Sequence, residues 1–376
     1  MNPFEQHPLH GGQLRQIAER FGIPPSQLLD FSANIDPNGP PQAVLSTLRA
    51  SLEEDFSTLA CYPDLQETAL KQSIARYAGV GSQNIAVANG FVPLLEAALR
   101  FLGIHRCVLP VPAFVEYRKT LDRIGIEISL HPLSAESNFN YNPAAMLTGD
   151  HDAILLANPQ NPSGVCHGTG LMRDLIARAA ERNMHVLLDE AFIDYIPDHS
   201  LTRTTDEFPN LIVFRSVTKF HGIPGLRVAY AVSNSALASS ITENLPPWPI
   251  TTLASIAVTA ALDDQSYAAR ARTNNLQSRI ALQHQIEALG LMVYPSAANY
   301  ILFRLPSGID PSAFWRHMIV EHRIVLRACV NYEGLASEHF RAAVRSQEQN
   351  GQLAAALTKS LSRLTATRSG WRCWSV

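Results

Sequence analysis

Cysteine is scarce in this chain of 376 residues, and no two cysteines form a C-x-x-C motif. The five that occur stand at positions 61, 107, 166, 329 and 373. A disulfide framework uses an even set of cysteines, and a structural zinc site uses closely spaced pairs, so the sequence predicts neither. We therefore expect reduced thiols, a cytoplasmic protein and no metal site.

Strong charge and membrane-spanning character are also absent. The formal net charge is −3 at pH 7, which provides no basic field for nucleic acid. The longest uncharged run, residues 244–262, has three prolines near its start, which indicates a loop leading into a buried helix. The opening residues, MNPFEQHPLHGG, lack the apolar core of a signal peptide. We expect neither a membrane nor a nucleic acid as a partner.

The composition is that of an ordinary globular protein, with 46% apolar and 17% charged residues, and the length predicts two domains. Apolar runs typical of buried strands alternate with helical stretches, and these runs lie at 84–89, 107–112, 153–159, 185–192 and 211–217. Such a pattern is typical of an α/β fold with a mostly parallel sheet covered on both faces. In these sheets ligands bind beyond the carboxyl ends of the strands.

The pattern changes after about residue 250. A long polar-faced helix is predicted over 264–289, and strand-like stretches follow at 291–305 and 322–334, which indicates a small α+β domain. The N-terminal residues, rich in proline and glycine, are expected to pack on this small domain. The sequence thus predicts three parts: an N-terminal segment at 1–40, a large ligand-binding domain at 41–255 and a small C-terminal domain at 256–376. No function is assigned to the tail, 365–376.

Polar residues follow three consecutive predicted strands: Asn161, Asp189 and Lys219. Taken singly, they are explained as a turn asparagine, a salt-bridged or helix-capping aspartate and a surface lysine. Taken together, they are the residue types that a pyridoxal phosphate site requires. A lysine binds the cofactor covalently, a carboxylate pairs with its pyridinium nitrogen, and an amide hydrogen-bonds its ring hydroxyl.

Groups that suit a cofactor phosphate lie near these residues. Ser216 and Arg227 flank Lys219 and supply a hydroxyl and a guanidinium. The turn at 88–92 leads from a strand into a helix, whose first N–H groups are suited to bind phosphate. Thr218 either orients Lys219 or packs in the core.

The chain resembles the fold-type I, aspartate-aminotransferase-like pyridoxal phosphate enzymes from about residue 9 to residue 350. Within that group it is similar to histidinol-phosphate aminotransferases and threonine-phosphate decarboxylases. The resemblance implies a large domain with a seven-stranded, mostly parallel sheet, a small α+β domain and a homodimer. The motifs that carry it are HGG (10–12), DFSANIDPNGPP (30–41), YPD (62–64), NPQNPSG (158–164), LLDEAFIDYIP (187–197), RSVTKFHGIPGLRVAY (215–230), ANYILFR (298–304), VLRACVNYEGL (325–335) and FRAAVRS (340–346).

The resemblance implies roles for the residues at matching positions. Lys219 matches the lysine that binds the cofactor, and Asp189 matches the partner of the pyridinium nitrogen; both are expected to be catalytic. Asn161 matches the contact of the ring hydroxyl. Ser216 and Arg227 match ligands of the cofactor phosphate.

Further matches concern the dimer and the substrate. Tyr62 matches a tyrosine that the family contributes to the cofactor phosphate across the dimer interface. Arg345 matches the arginine that binds the substrate carboxylate. Four residues are further candidates for holding the substrate's carboxylate or phosphate: His10, Asn34, Arg327 and Arg341.

The chain departs from the family pattern at two places. The family usually has an acidic or hydroxyl residue after the glycine of the helix-start turn, whereas here Phe91 and Val92 follow Gly90. Phosphate contacts at these three residues would then come from backbone N–H groups. Phe192 stands where many aminotransferases have a tyrosine, and the decarboxylases resemble this chain there.

The HGG, SANIDPNG and RACVNYEGL phrases resemble the decarboxylases more than the aminotransferases. The implied reaction is decarboxylation of L-threonine O-3-phosphate to (R)-1-aminopropan-2-yl phosphate and CO2, in cobalamin biosynthesis. Two alternatives stay open: a histidinol-phosphate-type aminotransferase, and an L-serine phosphate decarboxylase that forms ethanolamine phosphate.

Two other classes of protein are disfavoured. A non-catalytic binding protein of this fold would not need the core cofactor ligands, and this chain has all of them. A nicotinamide-dependent dehydrogenase is disfavoured because the nearest match to its glycine fingerprint, GTGLMR at 168–173, lacks the third glycine and follows a loop.

Overall fold

The computed structural model of the chain describes residues 7–53 and 56–369. The α-helices of these ranges are α1 (Leu14–Phe21), α2 (Gln42–Glu53), α3 (Ser57–Ala60), α4 (Thr68–Ala78), α5 (Phe91–Phe101), α6 (Val115–Arg123), α7 (Pro143–Met146), α8 (Thr169–Ala180), α9 (Ser235–Glu243), α10 (Thr252–Asp263), α11 (Gln265–Glu287), α12 (Pro311–His322) and α13 (Gln347–Ser369). Cys373 and its neighbours in the tail lie outside the described residues.

The strands of these ranges are β1 (Leu29–Asp30), β2 (Ile85–Ala88), β3 (Arg106–Val111), β4 (Glu127–Pro132), β5 (Ala153–Ala157), β6 (His185–Asp189), β7 (Leu211–Ser216), β8 (Ala229–Val232), β9 (Met292–Val293), β10 (Tyr300–Arg304), β11 (Ile324–Val325), β12 (Arg327–Ala328) and β13 (His339–Ala343). Seven of them form one sheet in the order β2-β8-β7-β6-β5-β3-β4. All neighbours in it run parallel except β8, which is antiparallel to both β2 and β7. The predicted fold class is confirmed.

Helices cover both faces of this sheet, because alternate residues of its central strands enter two different cores. Leu155 of β5 packs with residues of α5 and α6, whereas Ile154 and Leu156 pack with residues of α8. Every residue of β5 and β7 is buried. A strand buried on both faces has no polar side, which explains the continuous apolar runs in the sequence.

A smaller body is built from the C-terminal residues and the first part of the chain. Its antiparallel sheet has the order β12-β13-β10-β9, and β1 pairs in parallel with β11 through Leu29 and Ile324. Ile17 of α1 and Phe31 belong to the same apolar core as Phe314 of α12. The N-terminal segment therefore packs on the small body.

Helix α10 spans the predicted domain boundary at 255. Its Ala257 and Val258 share a core with Val44 of α2 and Leu70 of α4, on the side of the large sheet. The next helix, α11, starts with Asp264 as its N-cap, whose carboxylate accepts the Tyr267 N–H at 2.8 Å. The division at residues 40 and 255 stays a prediction.

Two general features complete the fold. None of the helices within 7–53 and 56–369 has the length and apolar character that crossing a bilayer requires. The described cysteines, Cys61, Cys107, Cys166 and Cys329, are free thiols.

Candidate active site

A cavity of about 500 Å³ lies beyond the carboxyl ends of the central strands. Strands β5, β6 and β7 are direct neighbours in register, with Ala157 opposite Asp189 and Asp189 opposite Phe214. Side chains that follow these strand ends therefore meet at one edge of the sheet. The residues predicted to bind the cofactor that line the cavity are Gly90, Phe91, Val92, Asn161, Asp189, Ser216, Lys219 and Arg227.

Two hydrogen bonds hold Asp189 at the cavity wall. Its Oδ2 accepts a hydrogen bond from the Tyr117 hydroxyl at 2.5 Å, and its Oδ1 accepts the Ala191 N–H at 2.8 Å. Burial raises the pKa of Asp189, while these two hydrogen bonds and the charge of Lys219 oppose the rise. A buried carboxylate with such support is suited to face a cationic group.

Lys219 enters the cavity from the segment after β7. Burial lowers its pKa, the charge of Asp189 opposes this, and the nearby Arg227 and Arg341 lower it further. A lowered pKa increases the fraction of neutral amine, which is the nucleophilic form. Lys219 is therefore suited to react with a carbonyl group.

The start of α5 forms an anion-binding corner. Its N-cap, Gly90, has φ = 93° and no side chain caps the first turn, so the N–H groups there are free of side-chain partners. A Cβ at Gly90 would lie 3.1 Å from Arg227 Nη2, so glycine brings the helix start close to this guanidinium. Ser216 Oγ lies 2.7 Å from Thr218 Oγ1 at the same corner. Phosphate is the kind of ligand that this combination suits.

The aromatic ring of Phe91 turns away from this corner and packs on Tyr117 and Phe214, with ring centroids 5.6 and 5.3 Å apart. Phe91 therefore fills the core while its backbone forms part of the corner. The second hydroxyl in the corner, that of Thr218, is only 2% exposed and lies against the Ser216 hydroxyl.

The residues predicted to bind the substrate that line the cavity are His10, Asn34, Arg327 and Arg341. Arg327 and Arg341 are opposite each other on the neighbouring strands β12 and β13. Arg341 Nη1 donates to Asn161 Oδ1 at 2.5 Å. The Asn34 amide, oriented with its oxygen toward Arg341, accepts from Nη1 and Nη2 at 3.3 and 3.2 Å.

Arg327 connects the cavity to the N-terminal segment. Its Nη1 donates to the Pro8 carbonyl at 2.8 Å, and its Nη2 donates to the Leu9 carbonyl at 2.7 Å. The residue Arg327 is 4% exposed, and its guanidinium lies between the small sheet and this segment. It therefore brings positive charge to the cavity and fixes the segment that carries His10.

Arg345, predicted to bind the substrate carboxylate, lies apart from the cavity lining in this chain. Its Nη1 donates to the Asp30 carbonyl at 3.1 Å and its Nε donates to Gln349 at 2.9 Å, and it is not among the described residues that line the cavity. The physical reason is the end of β13 at Ala343, after which the chain turns past β1 toward α13. Arg341, which lies inside the strand, lines the cavity.

Tyr62 does not line the cavity of its own chain either. It is 81% exposed and stacks on Trp248, with ring centroids 4.7 Å apart. A contact of Tyr62 with the cofactor would have to come from a second copy of the chain, as the resemblance implies.

Residues at the cavity and directly behind it escaped the sequence analysis. Glu116 lines the cavity and Tyr117 supports Asp189 from behind it; both stand in α6, which starts soon after the carboxyl end of β3. Tyr332 donates to Asn161 Oδ1 at 3.2 Å from the small body. The rule that ligands bind at strand ends could have indicated α6, since FVEY (114–117) begins two residues after the end of the predicted strand at 107–112. Nothing in the local pattern distinguishes Tyr332 from a core residue.

Comparisons with known proteins agree with this architecture. The family model described as "Aminotransferase class I and II" matches residues 26–357. The threonine-phosphate decarboxylase of Salmonella typhimurium is 35% identical over 94% of this chain and 96% of its own length. The histidinol-phosphate aminotransferase of Oleidesulfovibrio alaskensis is 31% identical over 81% of this chain and 79% of its own length.

A solved structure shows the same fold. The histidinol-phosphate aminotransferase of Sinorhizobium meliloti, determined in complex with pyridoxal-5'-phosphate, superimposes with a TM-score of 0.83 at 22% identity. The match covers 97% of this chain and 98% of that one. Together with the family match over most of the sequence, these comparisons confirm the predicted resemblance, and the chain belongs to the aminotransferase class I and II family.

Proposed function

We propose that this protein is a pyridoxal phosphate-dependent decarboxylase that converts L-threonine O-3-phosphate to (R)-1-aminopropan-2-yl phosphate and CO2, in cobalamin biosynthesis. The observation that carries the proposal is the pair Arg327 and Arg341, cross-strand partners whose side chains line one cavity with Lys219. A phosphorylated amino acid has two anionic groups, and each of them suits a guanidinium. The relative at 35% identity is named for this activity.

The residues present fit the cofactor. The cavity has a volume of about 500 Å³, within the range of small-molecule sites. Lys219 would hold pyridoxal phosphate covalently, Asp189 would face its ring nitrogen and Asn161 its ring hydroxyl. The start of α5, with Ser216 and Arg227, would bind its phosphate. When bound, the cofactor supplies an electron sink for the bond that breaks in the substrate.

The chain's own residues then orient the substrate. Arg341 lies beside Asn161, next to the position of the cofactor ring, so we assign it to the substrate carboxylate, with Asn34 as its support. Arg327 lies with His10 on the side of the N-terminal segment, so we assign these two to the substrate phosphate. Positioning the carboxylate decides whether decarboxylation or proton removal follows.

The second candidate function is a histidinol-phosphate-type aminotransferase, because a relative with that name is 31% identical. The decisive experiment incubates the purified, cofactor-loaded protein with each substrate. We expect CO2 from L-threonine O-3-phosphate without any 2-oxoglutarate. Formation of glutamate that depends on histidinol phosphate and 2-oxoglutarate, without CO2 release, would reject the decarboxylase.

L-serine phosphate, which would give ethanolamine phosphate, differs from threonine phosphate by one methyl group. A pocket distinguishes such groups by about 1–3 kcal/mol, which corresponds to a ratio of about 10 to 200 in kcat/KM. Measuring kcat/KM for both substrates assigns the substrate.

Exchange of Arg341 for glutamine should lower kcat/KM for threonine phosphate by about 100-fold, the scale of losing one buried charged contact. Arg345→Gln is the matched control, because this arginine stands four residues further along and binds the Asp30 carbonyl instead. We expect the control to change kcat/KM by less than about threefold. If kcat/KM fell equally in both variants, Arg345 would also be needed for binding the substrate carboxylate.

We infer that the protein is a homodimer. Exposed apolar side chains are concentrated between residues 56 and 65, where Phe56 is 75%, Leu59 60% and Tyr62 81% exposed. Trp248, stacked on Tyr62, extends this surface. A clustered apolar surface of this kind is typical of a protein interface. A second copy seated there would bring its Tyr62 to the cofactor phosphate of the first.

Mixed dimers test this arrangement. Tyr62→Ala and Lys219→Ala proteins should each be impaired, but a heterodimer of the two should regain one working site, because Tyr62 of one protomer serves Lys219 of the other. We expect activity at limiting cofactor to rise severalfold when the two are co-expressed. Activity that stays at the sum of the separate variants would place Tyr62 in its own chain's site or outside any site.

The cellular setting is proposed on similar grounds. The described cysteines are free, which suits a reducing compartment such as the cytoplasm. The net charge of −3 is consistent with a small-molecule substrate and with no nucleic acid partner.

A further inference from the structure

The N-terminal segment, residues 7–12, lies against the cavity and is fixed along its backbone. Arg327 binds the carbonyls of Pro8 and Leu9, and the Gly12 N–H donates to Ser32 Oγ at 2.9 Å. A Cβ at Gly11 would lie 2.0 Å from the Ser32 carbonyl oxygen, so the segment sits too close to residue 32 for any side chain there. These contacts hold the backbone but leave the ring of His10 to be placed by something else.

That placement comes from Glu116. His10 Nε2 lies 3.0 Å from Glu116 Oε1, and the His10 ring packs against the Phe114 ring with centroids 6.3 Å apart. Glu116 stands in the first turn of α6, on the large body, whereas His10 belongs to the segment that packs on the small body. The pair therefore joins the two walls of the cavity.

Glu116 is unexpected in a cavity that binds anions. Among the described residues that line the cavity, the acidic ones are Asp189 and Glu116. Asp189 is explained by the cofactor ring nitrogen, but Glu116 faces the side assigned to the substrate phosphate, where a free carboxylate would repel the ligand. A role that uses its negative charge on an intervening cation removes this conflict.

We propose that Glu116 is a positioning residue that orients the His10 ring beside Arg327 and favours its protonated form, so that the second ring nitrogen donates to the substrate phosphate. This inference rests on the proposed function for the identity of the phosphorylated substrate. His10 Nδ1 has no hydrogen-bond partner in the described part of the chain and is available for that contact.

The charges around His10 show why it needs Glu116. Burial lowers the pKa of His10, the carboxylate of Glu116 raises it, and Lys119 and Arg327 lower it, with a net decrease from the ordinary value. Lys119 Nζ also lies 3.0 Å from Glu116 Oε1 and competes for its charge. A histidine with a lowered pKa loses its proton as the pH rises toward neutral, so removing Glu116 would extend the neutral form to lower pH.

The first test titrates His10 by NMR in the full-length protein, without substrate, between about pH 5 and 8, the range in which histidines titrate. The chain has 13 histidines, so the His10→Asn protein identifies the signal. We expect Glu116→Gln to move the His10 titration to lower pH. Lys119→Met, which removes the competing cation, should move it to higher pH. No change in Glu116→Gln would overturn the proposal.

The second test measures kcat and KM for L-threonine O-3-phosphate with the cofactor-loaded enzyme over the same pH range. In Glu116→Gln, KM at mildly acidic pH, where His10 of the unchanged protein still carries its proton, should rise about tenfold, the scale of one charge-assisted hydrogen bond. As the pH is raised, the KM of Glu116→Gln should begin to increase at a lower pH than the KM of the unchanged protein. The kcat of the variant should change by less than about threefold. A merely structural role for Glu116 would lower kcat and leave the pH profile of KM in place.

A double-variant comparison separates this inference from the proposed function. In the His10→Asn background, Glu116→Gln should cause no further loss, because the group on which it acts is gone. A full additional loss in that background would overturn the proposal. If the unchanged protein released no CO2 from threonine phosphate, the proposed function would fail, whereas the His10 titration would still report on the His10–Glu116 pair.

Discussion

Replacing Lys219 by alanine is expected to abolish covalent attachment of pyridoxal phosphate and to lower kcat for CO2 release on the order of 10⁴-fold or more, as loss of a covalent catalyst does in other enzymes. The reason lies in the position of this amine. It extends from the segment after β7 into the cavity, where burial lowers its pKa and increases the neutral, nucleophilic form. No other lysine lines the described part of this cavity.

Two measurements check this expectation. Bound pyridoxal phosphate absorbs visible light, so purified Lys219→Ala protein should stay colourless after incubation with the cofactor and desalting. Borohydride reduction of the unchanged protein, followed by peptide mass spectrometry, should find the cofactor on the peptide that contains Lys219.

Lys71→Ala is the matched control for that experiment. Burial lowers the pKa of Lys71 as well, but this lysine lines a different cavity, beside Glu67 and Trp248. Lys71 therefore has an amine of lowered pKa, but neither the carboxylate of Asp189 nor the anion-binding corner of α5 lies beside it. We expect the control to retain the coloured cofactor, whereas cofactor found on Lys71 would contradict the assignment of the site.

Much of the fold could be predicted from the sequence because the central strands are buried on both faces. Strands β5, β6 and β7 produce continuous apolar runs, and all three were predicted. The edge strand β4, EISLHP, is half-exposed and mixes polar with apolar residues, so its pattern did not indicate a strand. The four-residue β8 follows a glycine- and proline-rich loop and escaped individual prediction for lack of length.

The candidate site was predictable where function depends on strand ends, and less so where it depends on tertiary packing. Asn161, Asp189 and Lys219 follow neighbouring strands, and the sheet order brings them together. That Arg341 lines the cavity and Arg345 does not depends on where β13 ends, and motif position alone did not reveal it. The contact of Tyr117 with Asp189 joins residues far apart in sequence, and no local pattern encodes it.

Asp189→Asn is the second substitution with a large expected effect. Asparagine has nearly the shape of aspartate and can keep hydrogen bonds with Tyr117 and Ala191, but it has no charge with which to stabilise a protonated ring nitrogen. We expect kcat to fall about 10³-fold, the scale of removing one preorganised electrostatic contact. Cofactor attachment through Lys219 should persist, so the variant should stay coloured while turnover is lost.

The sign of the pH dependence follows from the same comparison. Burial raises the pKa of Asp189 above its ordinary value, so as pH falls the carboxyl becomes protonated earlier than an exposed one would. Asparagine resembles that protonated form at every pH. The unchanged enzyme should therefore lose kcat on the acid side of its profile, whereas Asp189→Asn should be slow throughout and lack that limb.

Tyr117→Phe distinguishes charge from geometry at this position. It removes the hydrogen bond from the Tyr117 hydroxyl to Asp189 Oδ2 but leaves the carboxylate and the Ala191 N–H contact in place. Loss of one hydrogen bond to a charged group corresponds to about 1.5–3 kcal/mol, so kcat should fall by about 10- to 100-fold, less than in Asp189→Asn. If the two variants were equally slow and both kept the acid limb, Asp189 would act by holding Tyr117 in place, and its charge would have no part in the reaction.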